Sequence, residues 1–149
     1  RTDDPWRLFV VTSADIASIH TLNGFIARFN ELGGEKGRFG GVNANKLSGP
    51  FFESVTGDFI RETGAHLVAN IPRSMMVSVG EFCTLPLVHV APRGHVTAVY
   101  RKIARAVAEG KDARVPRHLD DGALAVWSRR WREIIDELEN GIVRDGAAI

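Results

Sequence analysis

Apolar positions along this chain follow two rhythms. Short unbroken runs alternate with stretches in which every third or fourth residue is apolar. The first run, "RLFVVT" at residues 7–12, is the pattern of a strand covered on both faces in the middle of a sheet. It leads into a stretch with Ile16, Ile19, Leu22, Ile26 and Phe29 on one helical face, closed by Gly33 and Gly34. Thr12, with Asp15 three residues later, has the spacing of a helix N-cap and its acidic partner. A second strand, "FGGVNA", passes through a loop, "NKLSGP", to a helix over "FFESVTGDFIRET" that stops at Gly64. The third strand, "HLVANI", is closed by Pro72. A short irregular or helical stretch and "LPLVHVAP" follow, then a helix near residues 95–109 with Val96, Val99, Ile103 and Val107 on one side.

Strand, helix, strand, helix, strand with short connections predicts an α/β fold, a parallel sheet flanked by helices with right-handed crossovers. Ligands of such sheets bind at the carboxyl ends of the strands, which singles out the loops after Thr12, Asn43 and Ile71. The character changes from Gly110. "KDARVPR" reads as a polar connector, and beyond it Leu124, Trp127, Trp131, Ile134 and Leu138 recur at helical spacing. The chain thus divides into a domain over residues 1–110 and, over 111–149, a connector with a helical extension. Arg129, Arg130, Arg132, Glu133 and Glu137 form the solvated side of that helix. A tryptophan seam of this kind more often packs against its own domain than serves as a free interaction surface, although a non-enzymatic interaction module would use it so.

Composition narrows the class. A hydrophobic share of 44% and a charged share of 25% are those of an ordinary globular protein. A net charge of +1 gives no reason to expect nucleic acid or an anionic membrane as partner. No apolar run approaches the roughly 20 residues that span a bilayer, and the charged opening "RTDDPWR" is unlike a signal peptide. A chain that begins at arginine and enters a sheet-centre strand within a few residues reads as an excerpt from a larger domain. The single Cys83 excludes an internal disulfide, suits a reducing cytoplasm and reads as a buried, inert thiol.

Several catalytic signatures are missing from the sequence. Neither "GGEKG" nor "GRFGG" ends in the Gly-Lys-Ser/Thr of a phosphate-cradling P-loop, so these glycines read as turns. His20, His66, His89, His95 and His118 have no zinc spacing, and there is no G-x-S-x-G elbow. The end of the third strand is more promising. Pro72 is a stiff wall, Arg73 can stack on a base or reach a phosphate, Glu81 can accept from a ribose hydroxyl, and Asn45 past the neighbouring strand can read the edge of adenine. The same residues read equally as a turn proline, a surface arginine and a loop asparagine.

A family resemblance bears on that choice. "LFVVTSADIASIHTLNGF", "GGVNANK" and "IPRSMMVSVGEFCTLPLVHVAPRGHVTAVYRKIARAV" resemble, in order and spacing, the C-terminal half of the nitrogenase iron protein family. That family includes the ATP-binding subunits of the dark protochlorophyllide and chlorophyllide reductases. Ser13, Asp15 and Asn23 fall on its strand-and-helix motif, and Asn45 on its adenine contact. Pro72, Arg73, Val77, Glu81, Pro92, Tyr100, Arg101 and Ala104 fall on characteristic positions of the run at residues 71–107. The resemblance covers the first 105 to 110 residues or so. It implies the C-terminal half of a P-loop ATPase domain, with Asn45, Pro72, Arg73 and Glu81 lining the base and ribose of ATP bound with Mg. It further implies a homodimer that shares one [4Fe-4S] cluster and donates electrons to a separate catalytic component. The phosphate loop, the switch segments and the cluster cysteines would precede Arg1, and Cys83 matches neither cluster cysteine. The alternative with the same fold is a partitioning or septum-placement ATPase without a cluster.

Overall fold

The computed structural model describes residues 6–34, 38–110 and 114–141. The turn expected at residues 35–37, the start of the connector at 111–113 and the charged opening at 1–5 lie outside the described residues. Three parallel strands form one sheet in the order β1-β2-β3: β1 (Leu8–Thr12), β2 (Phe39–Leu47) and β3 (Leu67–Pro72). Helices α1 (Ile16–Glu31) and α2 (Pro50–Glu62) are the crossovers between them. After β3 come α3 (Met75–Cys83), the one-turn α4 (Leu87–Val90), α5 (His95–Glu109) and α6 (Asp121–Asn140). This is the expected α/β architecture, and "LPLVHVAP" contributes α4.

The chain divides into two compact units, one through His118 and one from Leu119. The first unit therefore includes the described part of the connector, eight residues past the 110/111 boundary read from composition. Backbone bonds explain why. The Arg114 N–H donates to the Phe39 carbonyl at 3.1 Å, and the Arg117 N–H to that of Thr63 at 2.8 Å. Pro116 is buried, and its carbonyl accepts from the Asn30 side chain at 2.9 Å. A polar segment satisfies its backbone groups against the sheet here rather than in water.

Strand β2 is the core of the first unit. Phe39, Val42, Ala44 and Leu47 are buried along it, with Val68, Ala69 and Ile71 from β3 beside them. Helix α1 buries Ile19, Leu22, Asn23, Ile26 and Phe29, and the Phe29 ring meets that of Phe39 edge-on at 5.4 Å. Helix α2 begins at Pro50, where a missing N–H costs nothing, and buries Val55, Phe59 and Ile60. Gly80 is the buried residue of α3, and a Cβ there would meet the Leu85 carbonyl oxygen at 2.8 Å. Only glycine lets α3 fold back onto the turn into α4.

Among the described strands β1 pairs with β2 alone, and Val11 is 61% exposed. Two sequence expectations are corrected. The N-cap of α1 is Asp15, whose carboxylate accepts from the Ser18 N–H at 2.9 Å, while the Thr12 hydroxyl donates to carbonyls instead. Cys83 is exposed, since it sits in the last turn of a helix that turns Gly80 inward. In the second unit, α6 buries Trp127 and tilts its ring against Trp131 at 6.4 Å.

Within the α1 stripe, Ile26 is fully buried whereas Ile16 is 53% exposed. Ile26→Ala is expected to lower the stability of the chain by about 2–4 kcal/mol, and Ile16→Ala by about 0.5 kcal/mol or less. Urea unfolding followed by circular dichroism measures both. Equal losses would mean that the stripe is buried along its whole length.

Candidate functional site

Strand β2 continues three residues beyond the expected start of its loop. It carries Asn45, Lys46 and Leu47 to the carboxyl edge of the sheet, where Leu47 pairs with Pro72. Lys46 turns the chain there with a left-handed φ of 57°, a conformation that costs a non-glycine residue on the order of 1 kcal/mol. Two side chains hold that turn. The Asn45 Oδ1 accepts from the Lys46 N–H at 2.8 Å, and the Arg73 Nε donates to the Lys46 carbonyl at 3.3 Å. The Arg73 N–H in turn donates to the Leu47 carbonyl at 3.0 Å. Asn45, Lys46, Pro72 and Arg73 thus form one bonded corner.

Of the residues singled out in the sequence, the structure joins Asn45, Pro72 and Arg73. Glu81 is exposed on α3, and no bond of its side chain ties it to that corner among the described residues. Lys46 was not singled out, and nothing in its residue type marks a left-handed position. With Oδ1 engaged, Asn45 has its Nδ2 donors left for a ligand.

A concavity of about 530 Å³ opens beside this corner. Asn45 and Lys46 form one side, Val11, Thr12 and Ser13 the end of β1, and Ser18 and Phe25 the side of α1. The lining residues Ser13 and Ser18 both donate their hydroxyls to the Asp15 carboxylate, at 2.5 Å and 2.7 Å. These bonds, the one from Ser13 foremost, hold the Asp15 carboxyl at about 2, below its ordinary 3.8. The loop after Thr12 was a sequence candidate, but the part played by Ser18 was not visible, since serine at the third helical position has many uses. Asn43 and Asn70 each bury an Oδ1 without a hydrogen-bond partner, a feature that strand periodicity does not reveal.

The donor set decides what the chain can hold. Iron–sulfur clusters are held by cysteine thiolates, and the sequence has the single exposed Cys83. Among the described residues no three or more His, Cys, Asp or Glu side chains are grouped to hold a metal ion. The residues present do not fit a cluster. Asn45, Pro72 and Arg73, an amide, a rigid proline and a guanidinium, meet instead at the ends of adjacent strands.

The parallel three-stranded sheet flanked by helices is the α/β arrangement of the P-loop NTPase fold. Residues 2–131 match the profile of the 4Fe-4S iron sulfur cluster binding proteins of the NifH/frxC family, and the chain belongs to that family. It is similar to nitrogenase iron protein 2 of Paenibacillus durus, 27% identical over 143 residues that make up 95% of this chain and 49% of that protein. The nitrogenase iron protein of Methanospirillum hungatei is 28% identical over 133 residues, 87% of this chain and 48% of that protein. The chain spans about half the length of the curated relatives it matches. The relatives carry the names of iron proteins, which does not favour the partitioning ATPase. Among the described residues no helix is long and apolar enough to cross a membrane.

A carboxyl whose folded value is depressed stabilises the fold fully above its unfolded value. That stabilisation is lost as pH falls through the folded value. For Asp15 the window runs from about 3.8 down to about 2. Stability of the chain is expected to fall across this window more steeply than that of Asp15→Asn, which keeps a cap but has no charge to titrate. Denaturant midpoints measured over pH 2 to 5 or so test this. Parallel curves for the two proteins would show that the carboxylate contributes nothing.

Proposed function

We propose that this chain supplies the base-binding half of an ATP-dependent iron–sulfur reductase of the nitrogenase iron protein type. As a homodimer, the intact protein would deliver electrons to a separate catalytic component. The observation that carries this reading is the corner of Asn45, Lys46, Pro72 and Arg73 at the carboxyl ends of adjacent parallel strands, in a chain of this family. In the intact protein, MgATP would supply the free energy that gates electron delivery, and a [4Fe-4S] cluster held by residues other than those of this chain would supply the electron.

The residues of this chain bind and orient. The Asn45 Nδ2 donates to a ring nitrogen of the base, since its Oδ1 is committed to Lys46. Pro72 walls one face of the base, and Arg73 lays its guanidinium against the other or reaches toward phosphate. Glu81 accepts from a ribose hydroxyl. Adenine offers an acceptor at N1 where guanine offers N–H, so an asparagine able only to donate favours ATP over GTP. The acceptor, whether nitrogenase or a chlorophyll-ring reductase, is a finer choice that belongs to the partner.

In the product of the intact gene, Asn45→Ala is expected to relax the preference for ATP over GTP by about 1–3 kcal/mol. Asn45→Asp, which accepts rather than donates, should relax it further. Calorimetric titration with both nucleotides measures this, and unchanged affinities would remove Asn45 from the site. The redox assignment is tested by anaerobic purification and electron paramagnetic resonance after dithionite reduction. A reduced-cluster signal whose shape responds to MgATP is expected. An iron-free dimer with normal ATPase activity would overturn the reductase reading.

A further inference from the structure

A second concavity, of about 300 Å³, lies at the opposite end of the sheet. It is lined by Arg61, Gly64, His66 and Arg114, with Gly57 of α2 in its wall. We propose that this concavity binds a small carboxylate or phosphate anion, held by the Arg114 guanidinium. Strand β3 separates it from the Pro72 corner by five residue steps of about 3.3 Å each. It is therefore independent of the nucleotide reading.

Four observations support the site. Arg114 is held in place at its backbone, because its N–H bonds to the Phe39 carbonyl in an isolated antiparallel bridge. Its guanidinium originates from a fixed point at the rim although it belongs to a polar connector. Among the described residues that guanidinium has no acidic partner, whereas Arg61 is paired with Asp58. Arg114 is thus the cation available to a ligand, in a fork geometry suited to carboxylate and phosphate.

The helix end facing the cavity does not cancel this charge. Carbonyls at the C-terminus of a helix repel anions, but those of α2 are largely engaged. Phe59 accepts from the Thr63 N–H, Ile60 from that of Ala65, Arg61 from that of Gly64, and Thr63 from that of Arg117.

Gly57 supplies the fourth observation. It lies inside α2, where glycine costs about 0.5–1 kcal/mol relative to alanine. Packing gives no reason for it, since a Cβ there would meet nothing within 4 Å. The cost is explained if the space beside Gly57 is kept open.

The test is titration of the full 149-residue chain with inorganic phosphate and, separately, with malonate, at low ionic strength. The readout is the backbone amide resonances of Gly64, Ala65 and His66. Saturable shifts confined to this end of the sheet are expected, and the tighter ligand identifies the anion class. Arg114→Gln should weaken binding about tenfold or more, the loss of one charge-assisted pair. Gly57→Leu should abolish it by filling the cavity while every cation remains, and circular dichroism verifies that each variant is folded. Should Gly57→Leu not fold, Gly57→Ser serves as the smaller obstruction and should weaken binding. A response to chloride equal to that for phosphate and malonate would overturn the proposal, as would no saturable shift or affinity unchanged in Arg114→Gln.

Discussion

Strand β2 is paired on both sides, and the rest of the first unit depends on that constraint. Its backbone is hydrogen-bonded to β1 on one side and β3 on the other. A strand buried on both faces cannot slip by one residue without turning its whole side-chain set over. Phe39, Val42, Ala44 and Leu47 are each 2% exposed or less, so slippage is opposed at every buried position. The strand holds this register although it buries Asn43 with an unpartnered Oδ1, at a cost on the order of 1–3 kcal/mol. Double pairing and apolar packing outweigh that cost. They also fix where β2 ends, and with it the positions of Asn45 and Lys46.

The same constraint explains which parts of the fold could be read from the sequence. Ile19, Leu22, Ile26 and Phe29 lie on α1 where their spacing placed them, because a helix against a sheet has one buried face. The parallel order followed from the alternation of runs, because crossovers of this length cannot join antiparallel neighbours in a hairpin. The end of β2 was not legible. Asn45-Lys46 reads as loop, yet pairing of Leu47 with Pro72 draws these residues into the strand at the cost of a left-handed lysine. Tertiary pairing overrode local preference there.

Side-chain environments were less legible than elements. Cys83 was read as buried from its residue type, but α3 buries Gly80, and a helix with so narrow a buried face leaves its cysteine to solvent. Pro72 and Arg73 were placed correctly at the strand end because proline fixes the end itself. Glu81 lies on a helix whose direction depends on how closely α3 and α4 approach at Gly80, a distance that no sequence period encodes. The connector was read from its polar composition, which does not reveal that its Arg114 and Arg117 N–H groups bond to the Phe39 and Thr63 carbonyls.

The apolar pattern of β1 calls for cover on both faces, and among the described strands β1 is paired along one edge only, by β2. Val11, Ile16 and Phe25 remain exposed around that edge. Each Å² of such surface removed from water is worth about 25 cal/mol, and β1 also presents the unpaired backbone groups of an edge strand. Its edge is therefore both apolar and ready to pair. Val11 and Phe25 line the same concavity that Asn45 and Lys46 close from the other side. A surface that covered the β1 edge would narrow that concavity from the side opposite Asn45 and Lys46.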